Sequence, residues 1–519
     1  MNVLQSDTEK AAHRGTYEVS INITEEIVDP YLDAHFEVSF TRPDGTTVTV
    51  DSFYDGDETY KARAYCDQIG DWSWSLLDNE SEVKSGTFEV HPSPLPGKLR
   101  VHPADPRRLC YDDGSWFLHI GDTGYRYPTD TENGWQTYLD DAVAAGVTKI
   151  RTWFSTSRHG IEGVFENGNR ESGRLALDWW QEMDRRYRYA LETYPHVQFQ
   201  IIPYGEDGEA LRAYPEDELV QQVGAEVQAR LSAFPNVYWC IANDVKVVDG
   251  AVDPEIVEAG ARAQEGVSYD TIDLIGRDFA AREPWETLLT SHQLRQTGFS
   301  FRGEPWPDII TLHDLDQGAG ERVSEYVHKG NAPVVLDEDR YEHYREPDDP
   351  AYFFRRLFWA NLLAGGHPTY GGNRTYELYD GERQGMRGYV ESDLIGLDHA
   401  RWIHSFFANI DGSLVGMRPD QGLVEHATDI ICAHDTSRYL LYLANPDRDE
   451  VKHASVSEDP ATASITISPG RYSVRWFNPR TGEWVDGKDT AGGLVELAAP
   501  GGHDWVVLLE QRMASERPS

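Results

Sequence analysis

The runs Trp239-Cys-Ile-Ala-Asn243-Asp244 and Val335-Leu-Asp337-Glu338-Asp339-Arg340-Tyr341-Glu342 each pass from apolar residues into carboxylates. Paired carboxyls can cleave an acetal: one keeps its proton for the leaving oxygen while the other stays ionised and attacks the anomeric carbon. A spacing of ~5–5.5 Å between them gives retention of configuration, and ~6.5–9.5 Å leaves room for water and gives inversion. Further apolar runs end on Asp122, Arg151, Trp153, Tyr204, His292, His313 and His367. A single histidine in such a place more often makes an ordinary structural hydrogen bond than meets a ligand, so the crowding at nearly every run's end is the signal. Trp239 and Trp306 join Trp153 and Tyr204 as candidate sugar platforms, with core packing an equally good account of each.

Positioning these residues requires elements that end in one place. From Ser115 onward, short apolar strands (SWFLHIGDT, VTKIRTWFS, VQFQIIPY, VYWCIAND, ETLLTSHQ, DIITLHD, APVVLDED, HPTYG) alternate with helix-like segments such as GWQTYLDDAVAAG and DPAYFFRRLFWANLLAG. That alternation implies parallel strands joined by right-handed crossovers. Eight such units over residues 98–412 predict an α/β fold, a (β/α)₈ TIM barrel, whose active site lies at the C-terminal strand ends. A doubly wound sheet fits less well, because no GxGxxG follows the first strand.

The flanks read differently. Residues 15–93 form short alternating strands punctuated by turns such as Arg42-Pro43-Asp44-Gly45, which predicts an Ig-like N-terminal β-sandwich. The stretch His91-Pro-Ser-Pro-Leu-Pro-Gly97 then reads as a linker. Residues 413–512 return to short strands and predict a C-terminal β-sandwich, while residues 1–14 and 513–519 read as a disordered N-terminus and a frayed tail.

Composition narrows the partners. With 88 acidic and 47 basic side chains the net charge is −41. Such a field repels phosphate backbones and anionic membranes, so neither nucleic acid nor a membrane is an expected partner. Spread along the whole chain, it fits a halophilic surface adapted to high salt. Aromatics make up 12 %, as sugar clefts and sandwich cores both require. Four scattered cysteines, Cys66, Cys110, Cys240 and Cys432, form no ligand motif and read as buried thiols. No metal or other cofactor is expected. An acidic stretch at Glu377, Asp380 and Glu382 offers oxygen ligands for calcium, but a solvated acidic loop accounts for it better. The first fifteen residues lack an apolar core, so the chain as given is expected to be soluble and cytoplasmic, or secreted if a leader was removed.

Several separated motifs, FLHIGDTGY, IAND, PVVLDEDRYE and AGGHPTYGG, resemble the apiosidase-like glycoside hydrolases over residues 98–412. DSFYDGDETYKARAYCDQIGDWSWSL is similar to the N-terminal sandwich that accompanies many such barrels, and GRYSVRWFNPRTGEW to the C-terminal domains labelled collagen-binding. The resemblance implies a retaining, exo-acting glycosidase that releases apiose or another pentose or deoxysugar from a carbohydrate side chain. Carried over, Asp244 is the acid/base and Glu338 the nucleophile; at the strand ends around them, Asp122, Arg151, Trp153, Tyr204, Asn243, His292, His313, His367 and Tyr341 are expected to line the substrate site.

On these grounds Glu338 is expected to be held ionised by Asn243 and His292, and Asp244 to sit in the drier place with its pKa raised. Asp337 and Asp339 stand where the family more often has Gly and Pro. They would raise the pKa of Glu338 unless Arg340 or another nearby cation offset them. That departure keeps open a second reading, a non-catalytic carbohydrate-binding barrel.

Overall fold

The computed structural model describes residues 4–6, 8–23, 30–31, 36–78, 81–130, 133–154, 161–205, 208–248, 266–372, 385–425 and 429–512. Eight parallel strands form the expected ring: β1 (Gly121–Asp122), β2 (Lys149–Trp153), β3 (Gln198–Ile202), β4 (Val237–Cys240), β5 (Leu289–Thr290), β6 (Ile310–His313), β7 (Val334–Glu338) and β8 (His367–Tyr370). They neighbour one another in the order 5-4-3-2-1-8-7-6. Outside them run α1 (Trp135–Ala145), α2 (Leu177–Thr193), α3 (Glu218–Leu231), α4 (Tyr269–Arg282), α5 (Glu321–Lys329), α6 (Pro350–Leu363) and α7 (Arg401–Asn409). The regular alternation of eight units fails at one point: residues 291–309 turn back to the ring without a helix.

β5 and β6 share no ladder. The ring is closed there by the Asp308 N–H donating to the Leu289 carbonyl (2.9 Å), by the Thr290 hydroxyl donating to the Ile309 carbonyl (2.7 Å), and by a 2.8 Å contact between the hydroxyls of Thr290 and Thr311. Between β6 and β7 the register shifts, so that Leu312 faces Leu336 but His313 faces Glu338. The extra residue is Asp337. A bulge of this kind re-aims side chains at a strand end, and here it allows two successive carboxylates to turn towards the barrel axis.

The far end of the barrel is plugged by a hairpin of Leu99–Val101 and Leu109–Tyr111, whose apolar side chains pack with Phe117, Tyr238 and Val335. Each such side chain contributes about 1.5–3 kcal/mol when taken fully out of water. Above the plug the interior becomes polar, and Lys149 pairs with Asp337 where neither side chain is exposed.

Helix α6 shows how the sequence builds a clamp. The Asp349 carboxylate accepts the Tyr352 N–H (3.0 Å), Pro350 needs no donor at the first helical position, and the chain leaves through Gly365 at φ 99°. Every residue of α6 from Tyr352 to Leu363 is buried, because the helix lies between the ring and the C-terminal sheet. In that sheet the long strand Thr462–Phe477 pairs first with Thr490–Ala498 and then with Trp505–Gln511. One sheet thus folds over a core that includes Leu441, Ile465 and Val507. Asp504 from this sheet binds Arg355 of α6 through two contacts of 2.7 and 2.9 Å.

The N-terminal part consists of a five-stranded and a four-stranded sheet over a core of Val19, Phe40 and Trp72. Arg63 ties it to the barrel by reaching Glu18 (2.8 Å) and Asp184 of α2 (2.8 Å) where its own side chain is 1 % exposed. All four cysteines are buried free thiols, and among the described residues no helix is long and apolar enough to cross a membrane.

Candidate active site

β4 delivers Asp244 and β7 delivers Glu338 to the same end of the ring, and His313 from β6 stands between them. Its Nδ1 lies 2.8 Å from Asp244 Oδ1 and its Nε2 lies 3.6 Å from Glu338 Oε1. Burial alone would lower this imidazole, but the Glu338 and Asp244 carboxylates outweigh burial and hold it above its ordinary value. His292, just beyond β5, stacks on His313 with ring centroids 5.3 Å apart. The Asp244 N–H donates to His292 Nδ1 (3.1 Å), which assigns the ring proton to Nε2 and directs it at Glu338 Oε2, 3.9 Å away. Asp244 adopts a left-handed backbone, φ 53°. For a residue other than glycine that conformation is uncommon and costly, and it turns the carboxylate out of line with the strand.

Glu338 is anchored from the opposite side. Arg151 Nη1 donates to Glu338 Oε2 at 2.9 Å, and the Tyr125 hydroxyl donates to the same oxygen at 3.2 Å. The Tyr341 hydroxyl meets that of Tyr125 at 3.1 Å, and Tyr125 stacks on Trp153 at 4.2 Å. Burial would raise Glu338, but His313 and Arg151 prevail and hold it below its ordinary value. The expected donors therefore need correction. Asn243 accepts from Arg151 through its side-chain oxygen, and His292 lies beyond hydrogen-bond reach of the carboxylate. Arg151 and Tyr125 hold Glu338 instead.

Two further expectations are overturned. Asp244 is the wetter of the pair, with its side chain 20 % exposed against 12 % for Glu338, because its turned backbone places it at the rim. The flanking aspartates also leave Glu338 alone. Asp337 points into the barrel and binds Lys149, Arg151 and Thr369. Burial would raise its pKa, but Lys149 and Arg151 hold it well below the usual carboxylate range. Asp339 turns to the loop after β6, accepting the N–H groups of Asp316 (2.8 Å) and Gln317 (2.9 Å), and burial pushes its pKa up to about 7. Arg340 is engaged by Asp316, so the cations that offset Asp337 are Lys149 and Arg151.

Arg151, Asn243, Asp244, His292, His313, Glu338 and Tyr341 are thus brought together. The other sequence candidates lie elsewhere. Asp122 is buried against the hydroxyls of Tyr138 and Tyr389, and burial pushes its pKa up to about 6. Tyr204 faces outward and donates to the Val220 carbonyl of α3 (3.2 Å). His367 begins β8 instead of ending it, and it meets the Arg107 carbonyl near the plugged end. Trp153 is 1 % exposed and serves as a backing for Tyr125. Trp239 and Trp306 bind Glu283 and Asp273 through their indole N–H groups, so neither offers a free platform to the mouth. Tyr125 was the residue missed, although it closes the motif FLHIGDTGY.

Asp244, His292 and His313 offer ligand atoms within 4.8 Å of one another. Their mutual hydrogen bonds already occupy both Nδ1 atoms, which favours proton handling over metal binding. The stretch with Glu377, Asp380 and Glu382 lies outside the described residues.

A family model described as the apiosidase-like catalytic domain matches residues 104–410, and one described as a domain of unknown function, DUF5060, matches residues 14–79. Among solved structures, a protein assigned as a glycoside hydrolase from Bacteroides vulgatus ATCC 8482 superposes with a TM-score of 0.74 at 16 % identity, covering 97 % of this chain and 100 % of that one. A glycoside hydrolase family 5 protein from the same organism gives a TM-score of 0.59 at 18 % identity, covering 80 % of this chain and 94 % of that one. At such identities the likeness concerns the fold. No curated protein matches the sequence.

Proposed function

This chain belongs to the apiosidase-like catalytic-domain family and is a glycosidase, and from that premise we propose that it releases a terminal sugar with retention, using Glu338 as nucleophile and Asp244 as acid/base. The observation that carries the reading is the His313 bridge, one ring nitrogen on each carboxylate.

Arg151, Tyr125 and His313 keep Glu338 ionised, as attack on an anomeric carbon requires. Asp244 shares a proton with His313 along their 2.8 Å contact, and the pair delivers it to the leaving oxygen. When the glycosyl ester forms, Glu338 loses its charge and the proton affinity of His313 falls. Asp244 then takes a proton from the incoming water, and hydrolysis of the ester restores Glu338. The sugar is an apiose-like pentose or a deoxysugar on a carbohydrate side chain, a reading that follows from the family. The strongly acidic surface, at −41, adds that the enzyme works in high salt.

The test is proton NMR of the first sugar released from a panel of aryl glycosides and pectic oligosaccharides in high salt, with Glu338→Gln alongside. Retained anomeric configuration that disappears in the variant supports the reading. Inverted product, or full activity in Glu338→Gln, would remove it.

A further inference from the structure

The outer flank of the barrel carries two neighbouring cavities, of about 720 Å³ and about 400 Å³. The larger is bounded by α1, the segment 389–402 and residues 480–481 of the C-terminal sheet. The smaller lies between the end of α1 and the turn that follows α2. Arg401 lines both and so stands between them. Its guanidinium sits 4.8 Å from the centroid of the Trp402 ring, and that ring is itself pressed on Gly482, where an added Cβ would collide with it.

The lining sets two guanidinium groups beside two carboxylates, a balance of charge unlike the chain's net −41. Arg401 has no carboxylate within 4 Å among the described residues, and the nearby Asp398 carboxylate feels its charge without closing an ion pair. Arg480, on the opposite wall, donates from Nε to Asn478 Oδ1 at 3.1 Å. Its nearest carboxylate, Asp504 at 3.9 Å, is already occupied by Arg355 and by the Tyr442 hydroxyl at 2.9 Å. Arg401 and Arg480 thus keep donor capacity that the neighbouring carboxylates do not take up at hydrogen-bond distance. Between them the lining is amphipathic. Tyr389, Leu394 and Leu397 supply apolar surface, and Asp141 and Asp398 supply acceptors for hydroxyl groups. Rings that carry hydroxyls, C–H faces and a carboxylate match all three features. Two cavities on either side of one arginine suit a ligand longer than a single ring.

We propose that this flank is a second binding site, separate from the mouth of the barrel, for an acidic saccharide chain whose carboxylates pair with Arg401 and Arg480. Such a site would hold a uronic-acid-bearing polymer against the enzyme while the mouth works on a branch. It requires no particular role for Glu338 and goes beyond the hydrolytic reading.

The experiment is a calorimetric titration of the full chain, made as Glu338→Gln, with trigalacturonic acid, with a neutral trisaccharide and with inorganic phosphate. Arg401→Ala and Arg480→Gln are added singly to that background, and a melting curve of each checks that it is folded. Saturable binding of the uronate alone, weakened about tenfold or more by Arg401→Ala and by higher salt, is the expected result. Arg401 is exposed, so its replacement leaves the fold and the hydrolysis of a small aryl glycoside unchanged. Absence of uronate binding, equal binding of the neutral sugar or of phosphate, or indifference to Arg401→Ala would each overturn the proposal. Loss of the hydrolytic reading would show in turnover of the unmutated chain and would leave this titration untouched.

Discussion

Asp244 and His313 meet through a 2.8 Å contact that also closes the gap between two carboxylates, because the second nitrogen of the same ring faces Glu338. Replacing the acid should separate substrates by how much help their leaving groups need. Asp244→Asn is expected to lose ~10²–10⁴-fold on sugars with poor leaving groups and little on activated aryl glycosides. A plot of rate against leaving-group pKa measures this. A uniform loss across the series would deny Asp244 the proton transfer.

The pH profile follows from the same triangle. Glu338 is held below its ordinary value, so the acidic limb of kcat/KM should lie below the normal glutamate range of about 4.3. His313 is held above its ordinary value of 6.5, so the alkaline limb should lie above that value, with activity lost as the imidazolium gives up its proton. His313→Gln removes a cation from beside Glu338. The acidic limb should then move up, and the alkaline limb should lose its imidazole component. An unaltered profile in a folded variant would leave His313 no part in proton handling.

Stability should be most sensitive beneath the site. Asp337→Asn leaves Lys149 charged and unpaired in the barrel and should cost about 3–5 kcal/mol in denaturant unfolding. The double replacement Lys149→Met with Asp337→Leu should recover much of that loss, because a hydrophobic pair carries no buried charge. Asp337 has a depressed pKa in the folded state, so its contribution is complete above the unfolded value of about 3.9 and is lost as pH falls towards the folded value. Acid titrations of the wild type and of the double variant should therefore diverge below that point.

A net charge of −41 on one chain is self-repelling, and salt should relieve it. The melting temperature is expected to climb as potassium chloride is raised from 0.1 to about 1 M, where the screening length shrinks from about 10 Å to about 3 Å. A flat or falling melting curve over that range would detach the acidic composition from salt adaptation.

The alternation of strands with helices made the barrel readable, and the rule that sites gather at strand ends singled out Asp244, Glu338 and their neighbours Arg151 and His313. What could not be read was direction. A strand end marks a place on the ring, but whether Tyr204 points inward or Trp239 outward depends on pleat and twist that no spacing reveals. His367 was misplaced because β8 begins, and does not end, on it. The inward turn of Asp337 depends on the shifted register between β6 and β7, so its partner Lys149 could not be inferred from the residues around Glu338. Tyr125 carried a weak signal only, an aromatic three residues past a short strand.

The missing ladder between β5 and β6 makes the barrel a split collar. A welded ring resists any change in girth, since widening it anywhere breaks a row of amide bonds. This one can widen where one amide bond, the Asp308 carboxylate and two threonine hydroxyls stand in for a ladder. The split runs between the strands that lead to His292 and His313, the two stacked imidazoles. Breathing at that line would change the reach between Asp244 and Glu338 while the rest of the scaffold stays in register.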